Sequence, residues 1–356
     1  MKQLPKVYKR IVIKIGSSLF YSDKNKLDCS LLSSIAEQIS ELVNNGREIV
    51  IVSSGAIALG MSVLHLDSRP KDLSILQAAA AIGQHELMDI YRRFLKENNL
   101  NCAQILLTWD DFDDRLRYLN AKNTILSLLK FKAIPVINEN DTVSTDEIKF
   151  GDNDRLSAMV AALVGADLLI ILSDVDGLLD KDRKSVISLV EKITPQIKSL
   201  ASPTQRKTSV GGMIAKIDAC RIGVDSGIPC VIANGRENNI ISLSVNNPGA
   251  CGTLFLPKKD YLAQRLRWIA FSAKPKGRII VDDGAKNALL NKKSLLSVGV
   301  VSLLGDFETG DIVSLVDKQN LEFARGQSRI SSIELERVKG SRFDKEIVHR
   351  DNIVIL

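Results

Sequence analysis

Two lysines and one polar loop are the residues of this chain best suited to chemistry. Lys14 sits in Lys14-Ile15-Gly16-Ser17-Ser18, at the end of an apolar run. An ammonium group inside a strand is costly to bury unless it is paired. Gly16 lets the backbone turn tightly, and the amides after it can point at phosphate oxygens. The plainer alternative is a strand-end lysine that reaches water. Lys216 lies about one turn inside a helix opened by Gly211-Gly212-Met213-Ile214-Ala215. Paired glycines allow close backbone approach, and a lysine near a helix N-terminus suits a polyphosphate; otherwise it is an exposed helical lysine. Ser53-Ser54-Gly55-Ala56 brings hydroxyls and amides to a helix start, which fits an anionic group or a simple N-cap. Ser173-Asp174-Val175-Asp176-Gly177 follows an apolar run and reads as a nucleotide-side turn or an ordinary β-turn.

The polar loop is the stretch INENDTVSTDEIKFGDNDRLSA, residues 137–158. It holds six acidic side chains, three asparagines and two basic residues in a chain whose net charge is +6. Asn138-Glu139-Asn140-Asp141 and Gly151-Asp152-Asn153-Asp154 bracket it. Carboxylates can hold an ammonium group and amide donors can hold a carboxylate, so the pair of clusters suits an amino acid. Two Asx-rich turns are the alternative. Asp154 opens a helix, where it can cap the helix or order nearby lysines by charge. The twelve-residue calcium-loop register is not met.

The elements that must position these residues alternate. Apolar runs at 10–16, 47–56, 101–108, 133–138, 167–174 and 228–234 read as strands. Patterns of helical period lie between them at 31–46, 72–99, 119–132, 154–166 and 211–227, with a possible break near Gly83. Near-continuous Val/Ile/Leu strands separated by helices predict an α/β, three-layer sandwich with a mainly parallel sheet. In such sheets ligands bind beyond the carboxyl ends of the strands, where nearly every polar cluster named above falls. A connecting helix is expected at 261–273. After it, short alternating runs with Gly-Asp and Asp-Gly turns predict a small C-terminal β-barrel.

Composition narrows the class. The chain has 356 residues, enough for two domains, with 45% apolar and 25% charged residues. Five cysteines without CxxC spacing argue against a disulfide framework or a zinc site and fit reduced thiols in a cytoplasmic protein. The start of the chain lacks the apolar core of a signal peptide, and no run is long enough to span a membrane. GxxxxGK[ST] is absent. His349-Arg350-Asp351 has strand-like neighbours rather than the surroundings of a kinase catalytic loop.

Taken in order, VIKIGSS, VIVSSGAIALG, PVINENDTVSTDEIKFGDNDRLSA, LSDVDGL and VGGMIAK resemble the amino acid kinase family, in its bacterial glutamate-phosphorylating branch. The match covers roughly residues 8–256, and the NEND…GDND pair is its most specific part. GDFETGDIVSLVD…FARG resembles a PUA domain. The resemblance implies an amino acid kinase domain at 1–257, a linker helix at 258–273 and a PUA-like domain at 274–356. It implies transfer of phosphate from ATP, with Mg²⁺, to the γ-carboxylate of L-glutamate, the first step of proline synthesis. It also implies inhibition by proline and a homodimer or homotetramer. By this likeness Lys14 and Lys216 act on the transition state and Asp154 orders them. Ser54, Asp141 and Asn153 bind glutamate. Lys14, Gly16, Ser173, Asp174, Gly211, Gly212, Met213 and Lys216 bind ATP, and no side chain binds the metal directly. Ser209 and Val210 stand where the family usually has a glycine and a threonine, and Ser17-Ser18 where Gly-Thr-Ser is commoner.

Two rival readings follow from the same residues. Aspartate, acetylglutamate, carbamate and uridylate kinases share the lysine turns but would lack NEND…GDND in this arrangement. An RNA-binding regulator with an inactive kinase fold would rest on the C-terminal part. Residues 274–356 hold 14 Lys/Arg and 12 Asp/Glu, a weak electrostatic footprint for RNA.

Overall fold

A computed structural model describes residues 7–22, 27–143, 153–201, 212–258 and 264–356. The chain divides into two compact units. The first comprises Met1–Asp111 with Leu116–Tyr261, and the second Phe112–Arg115 with Leu262–Leu356.

The strands of the first unit are β1 (Arg10–Ile15), β2 (Glu48–Ser53), β3 (Asn101–Leu107), β4 (Ala133–Glu139), β5 (Leu168–Ser173), β6 (Leu189–Val190), β7 (Cys230–Asn234) and β8 (Thr253–Phe255). They form one sheet in the order β3-β4-β2-β1-β5-β7-β8-β6, parallel except for the β7–β8 pair. In chain order the helices up to Asn246 are α1 (Cys29–Asn44), α2 (Ala56–Val63), α3 (Leu73–Glu97), α4 (Trp109–Asp113), α5 (Arg115–Lys130), α6 (Asn153–Val164), α7 (Pro195–Ser199), α8 (Met213–Asp225) and α9 (Ile240–Asn246), with the end of α4 and the first residue of α5 falling in the second unit.

Side chains alternate across a strand, and in β1 the alternation sorts chemistry from packing. Ile11, Ile13 and Ile15 join one core with Ile35 and Ile39 of α1, Leu87 of α3 and Ile241 of α9. Val12 and Lys14 therefore belong to the opposite face, where α6 and α8 pack side by side. The sheet is thus covered on both faces, as its uninterrupted apolar strands require. Helix starts are fixed locally: Asp28 accepts from the Leu31 amide at α1, and Asp72 from the Ser74 and Ile75 amides at α3.

Gly83 does not break α3, which runs unbroken from Leu73 to Glu97. Its role is close approach. A methyl group at Gly83 would stand 1.7 Å from the Ala56 carbonyl oxygen, so α2 presses directly onto α3 there. Short elements such as β6, β8 and α9 carry too few residues to display a period.

The second unit holds α10 (Gln264–Arg267), β9 (Gly277–Val281), α11 (Asp283–Leu290), β10 (Val300–Leu304), β11 (Ile312–Val316), β12 (Glu322–Ser328), α12 (Ser332–Val338) and β13 (Val348–Ile355). Its five strands form a mixed sheet in the order β10-β9-β11-β12-β13 around Ile279, Phe307, Val313, Leu315, Leu335 and Val348. The connecting helix widens after α10 into a π turn at Trp268–Ser272. His349-Arg350-Asp351 lies within β13. All five cysteines are free. Among the described residues no helix is long and apolar enough to cross a membrane.

Candidate active site

The carboxyl ends of β1, β2, β4, β5 and β7 line up along one edge of the sheet. Ile15 is in register with Ser53 of β2 and Leu172 of β5, and Ser173 with Asn234 of β7. Lys14 is the penultimate residue of β1. Lys216 is the fourth residue of α8, and Asp154 the second of α6.

These three side chains meet. Lys14 Nζ lies 2.6 Å from Asp154 Oδ1, and Lys216 Nζ lies 2.9 Å from Asp154 Oδ2. All three are buried, at 6%, 5% and 2% exposure for Lys14, Lys216 and Asp154. Burial by itself would raise the Asp154 carboxyl. The two ammonium groups and their hydrogen bonds outweigh it and hold the group below the ordinary carboxylate range. Asp154 is therefore an ionised bridge between two cations, and its carboxylate is spent on the lysines rather than on capping α6. The arrangement carries two positive charges against one negative in a site where few water molecules can screen them. A further anion is what such a site lacks.

The turn after β1 supplies more donors. The Gly16 amide is bonded to the Leu172 carbonyl, and Ser17–Leu19 form a single tight turn. The first amides of that turn have no partner within it. Arg236, just past β7, fixes this region: its Nη1 pairs with Asp28 at 2.9 Å and its Nη2 donates to the Ser18 carbonyl at 2.9 Å. Gly212 precedes α8 without a side-chain cap, and Met213 opens the helix. Ser173 and Asp174 close β5, with the Ser173 hydroxyl donating to Asp174 Oδ1 at 3.1 Å. Gly211, Ser209 and Val210 lie outside the described residues, as do Gly151 and Asp152.

On the other side of β1, Ser54 is half-buried and its amide donates to the Ile15 carbonyl at 3.2 Å. Gly55 then takes φ = +110°, a conformation that suits glycine, and α2 begins without a side-chain cap. Asn153 precedes Asp154 in the same helical turn, so the polar loop's second cluster reaches the lysines directly. Asp141 stands in the loop beyond β4. Burial pushes its carboxyl up to about 6, against the downward pull of the Arg69 guanidinium.

Two residues of this region, Tyr91 and Gln84, escape sequence reading. The Ser53 hydroxyl does not face the site; it accepts from the Tyr91 phenol at 2.8 Å and donates to the Ser54 carbonyl. Burial pushes the Tyr91 phenol upward, which keeps it protonated as a donor. Asn138 bonds Gln84 and Asn153. Gln84 and Tyr91 lie in a long amphipathic helix, where nothing in the local pattern marks them.

Residues 9–234 match the amino acid kinase family and residues 277–349 match the PUA domain. The chain is 44% identical to a protein of Thermoanaerobacter sp. (strain X514) named glutamate 5-kinase, over 98% of both chains. It is 42% identical to one of that name from Pelobacter propionicus, over the whole of both chains. A third, from Acinetobacter baumannii (strain ATCC 17978), is 44% identical over 98% of this chain and 96% of its own. With two buried lysines bridged at the carboxyl edge of a parallel sheet, and with similarity along nearly its full length, the chain is an enzyme of the amino acid kinase family that carries a PUA domain.

Proposed function

We propose that the chain transfers the γ-phosphoryl group of ATP to the γ-carboxylate of L-glutamate. The reading rests above all on the single carboxylate of Asp154 holding both Lys14 and Lys216. The name shared by relatives that cover the whole chain supports the choice of substrate.

A carboxylate is already a nucleophile, so no general base is required. The barrier is electrostatic: an anion must approach a highly charged phosphoryl group. Cations and amides fixed in advance lower it, because they need not reorganise as charge moves to the transferring oxygens. Lys14 and Lys216 supply that charge, and Asp154 keeps them apart and aimed. The uncapped amides after β1 and at the start of α8 suit the phosphate chain, and Gly16, Ser173, Asp174, Gly212 and Met213 are proposed to line it. Mg²⁺, when bound on the nucleotide, neutralises the phosphate oxygens. Ser54, Asp141 and Asn153 are proposed to hold glutamate.

The role of Asp141 has a pH signature. A carboxylate raised to about 6 is protonated below that value and then no longer offers a negative charge to pair with an ammonium group. The glutamate KM is expected to be flat above about pH 7 and to rise about tenfold per pH unit below about 6. Neither carboxyl of free glutamate titrates in that window. Asp141→Asn should give a high KM that no longer changes between pH 5 and 7, as read from initial rates. A wild-type KM flat across the same window removes Asp141 from the site.

Asn153→Ala is expected to raise the glutamate KM with a smaller change in kcat, because it removes binding present before the transition state. An unchanged KM removes Asn153 from the substrate site.

Trapping the acyl phosphate as its hydroxamate tests the activity. Hydroxamate should form with ATP and L-glutamate, and not with aspartate or N-acetylglutamate. Run with and without proline, the same assay tests the inhibition that the family likeness implies. Formation with aspartate or acetylglutamate instead would replace the substrate. An RNA role for the PUA domain is a separate reading: it calls for salt-sensitive binding by the full chain.

A further inference from the structure

Helix α3 lies in the core formed by Ile11, Ile13 and Ile15, on the face of the sheet away from Lys14. Gln84 and Tyr91, two turns apart on α3, are both buried, at 8% and 5% exposure. Tyr91 holds the Ser53 side chain. Gln84 Oε1 accepts from Asn138 Nδ2 at 2.8 Å. Asn138 Oδ1 in turn accepts from the Glu139 amide at 2.9 Å and from Asn153 Nδ2 at 2.9 Å. Asn153 Nδ2 also donates to the Ser53 carbonyl at 2.6 Å.

Two backbone groups identify which end of each amide is oxygen and which is nitrogen, while Gln84 anchors the far end of Asn138. The Glu139 amide can only donate, so the oxygen of Asn138 must face it. The Ser53 carbonyl can only accept, so the nitrogen of Asn153 must face it. Asn153 Oδ1 is thereby turned away from these partners. It is buried in a side chain 7% exposed and has no hydrogen-bond partner among the described residues. A buried acceptor without a donor is costly, and a ligand N–H would relieve it.

We infer that Gln84 is a positioning residue for recognition of the substrate's ammonium group, acting through Asn138 to hold Asn153 with its oxygen toward the substrate. The inference rests on the reading of this site as a glutamate site. It reverses the expectation that the asparagine amides hold a carboxylate: both Asn153 N–H groups are already used, and what it offers is an acceptor. Gly83 seats the neighbouring residue firmly, because α2 leaves no room for α3 to shift there. Without the Gln84 carbonyl, Asn138 Nδ2 is left buried without an acceptor. Asn138 cannot flip to compensate, since its NH₂ would then oppose the Glu139 amide.

The test compares L-glutamate with glutarate, the same diacid without its amino group. In the full-length enzyme, Gln84→Met should raise the glutamate KM about tenfold, the effect of one lost hydrogen bond, and leave kcat within about threefold. kcat/KM for glutarate should not change, so discrimination between the two falls about tenfold. Gln84→Glu keeps an acceptor oxygen for Asn138 and should retain discrimination within about threefold. Equal losses for both substrates, or an unchanged KM in Gln84→Met, overturn the inference. Should Gln84→Met fail to fold, Gln84→Glu decides: retained discrimination supports the role and lost discrimination overturns it. Wild-type enzyme inactive on glutamate would instead sink the functional reading itself.

Discussion

Lys216→Ala and Lys14→Ala are each expected to lower kcat at least about 10²-fold. Removing one preorganised donor from a developing oxyanion costs about 2.7–4 kcal/mol in comparable sites. The loss should fall on kcat more than on the glutamate KM, because the lysines act on charge that appears as the phosphoryl group moves. Either variant leaves Asp154 with one ammonium partner, at 2.6 Å from Lys14 or 2.9 Å from Lys216. Folding should therefore suffer less than turnover. Steady-state rates with a thermal melt for each variant separate the two. Turnover within a few fold of wild type in either variant removes that lysine from the reaction.

Asp154→Asn should damage stability and activity together. Its carboxylate is the shared counter-ion of two ammonium groups that are about 95% buried. Breaking a buried pair by removing one partner costs about 3–5 kcal/mol, because the other charge remains buried and uncompensated. Here two charges are stranded, so the upper part of that range is expected in denaturant unfolding at pH 7. The pH dependence has a definite sign. The folded-state carboxyl lies below its unfolded value, so its contribution is present above about pH 4 and lost as pH falls through the folded value. Asp154→Asn should remove that acid-side loss. The triple change Lys14→Met, Asp154→Leu, Lys216→Met should recover most of the stability, since apolar residues often replace buried ion pairs without penalty, but none of the turnover. Recovery of turnover, or Asp154→Asn within about 1 kcal/mol of wild type, contradicts the bridge.

Those residues differ in how far the sequence exposes them. Lys14 is legible because a charge inside RIVIKI must be paired or wasted. Its partner is legible only as one of two readings, since Asp154 lies far along the chain and spacing carries no tertiary distance. Asp154 reads equally well as a helix cap, and only the packing of α6 against α8 beside β1 decides between the two roles. The parallel sheet and its polar carboxyl edge are legible from unbroken Val/Ile/Leu strands. Gly83 reads as a helix break because its cause, the Ala56 carbonyl, belongs to another helix. Ser53 reads as an anion-site hydroxyl or an N-cap for a similar reason: the phenol that claims its hydroxyl comes from α3. Gln84 has no local signature at all. A polar residue on a long amphipathic helix declares its role only when the strand it touches is known.

The most direct test is a crystal structure of the chain with a non-hydrolysable ATP analogue, Mg²⁺ and L-glutamate. Lys14 and Lys216 should both lie within hydrogen-bond reach of the γ-phosphate, with the glutamate γ-carboxylate in line behind it and the ammonium group on Asn153 Oδ1. A γ-phosphate bound away from both lysines, or glutamate bound outside the carboxyl edge of β1, β2 and β4, would contradict the mechanism at its root.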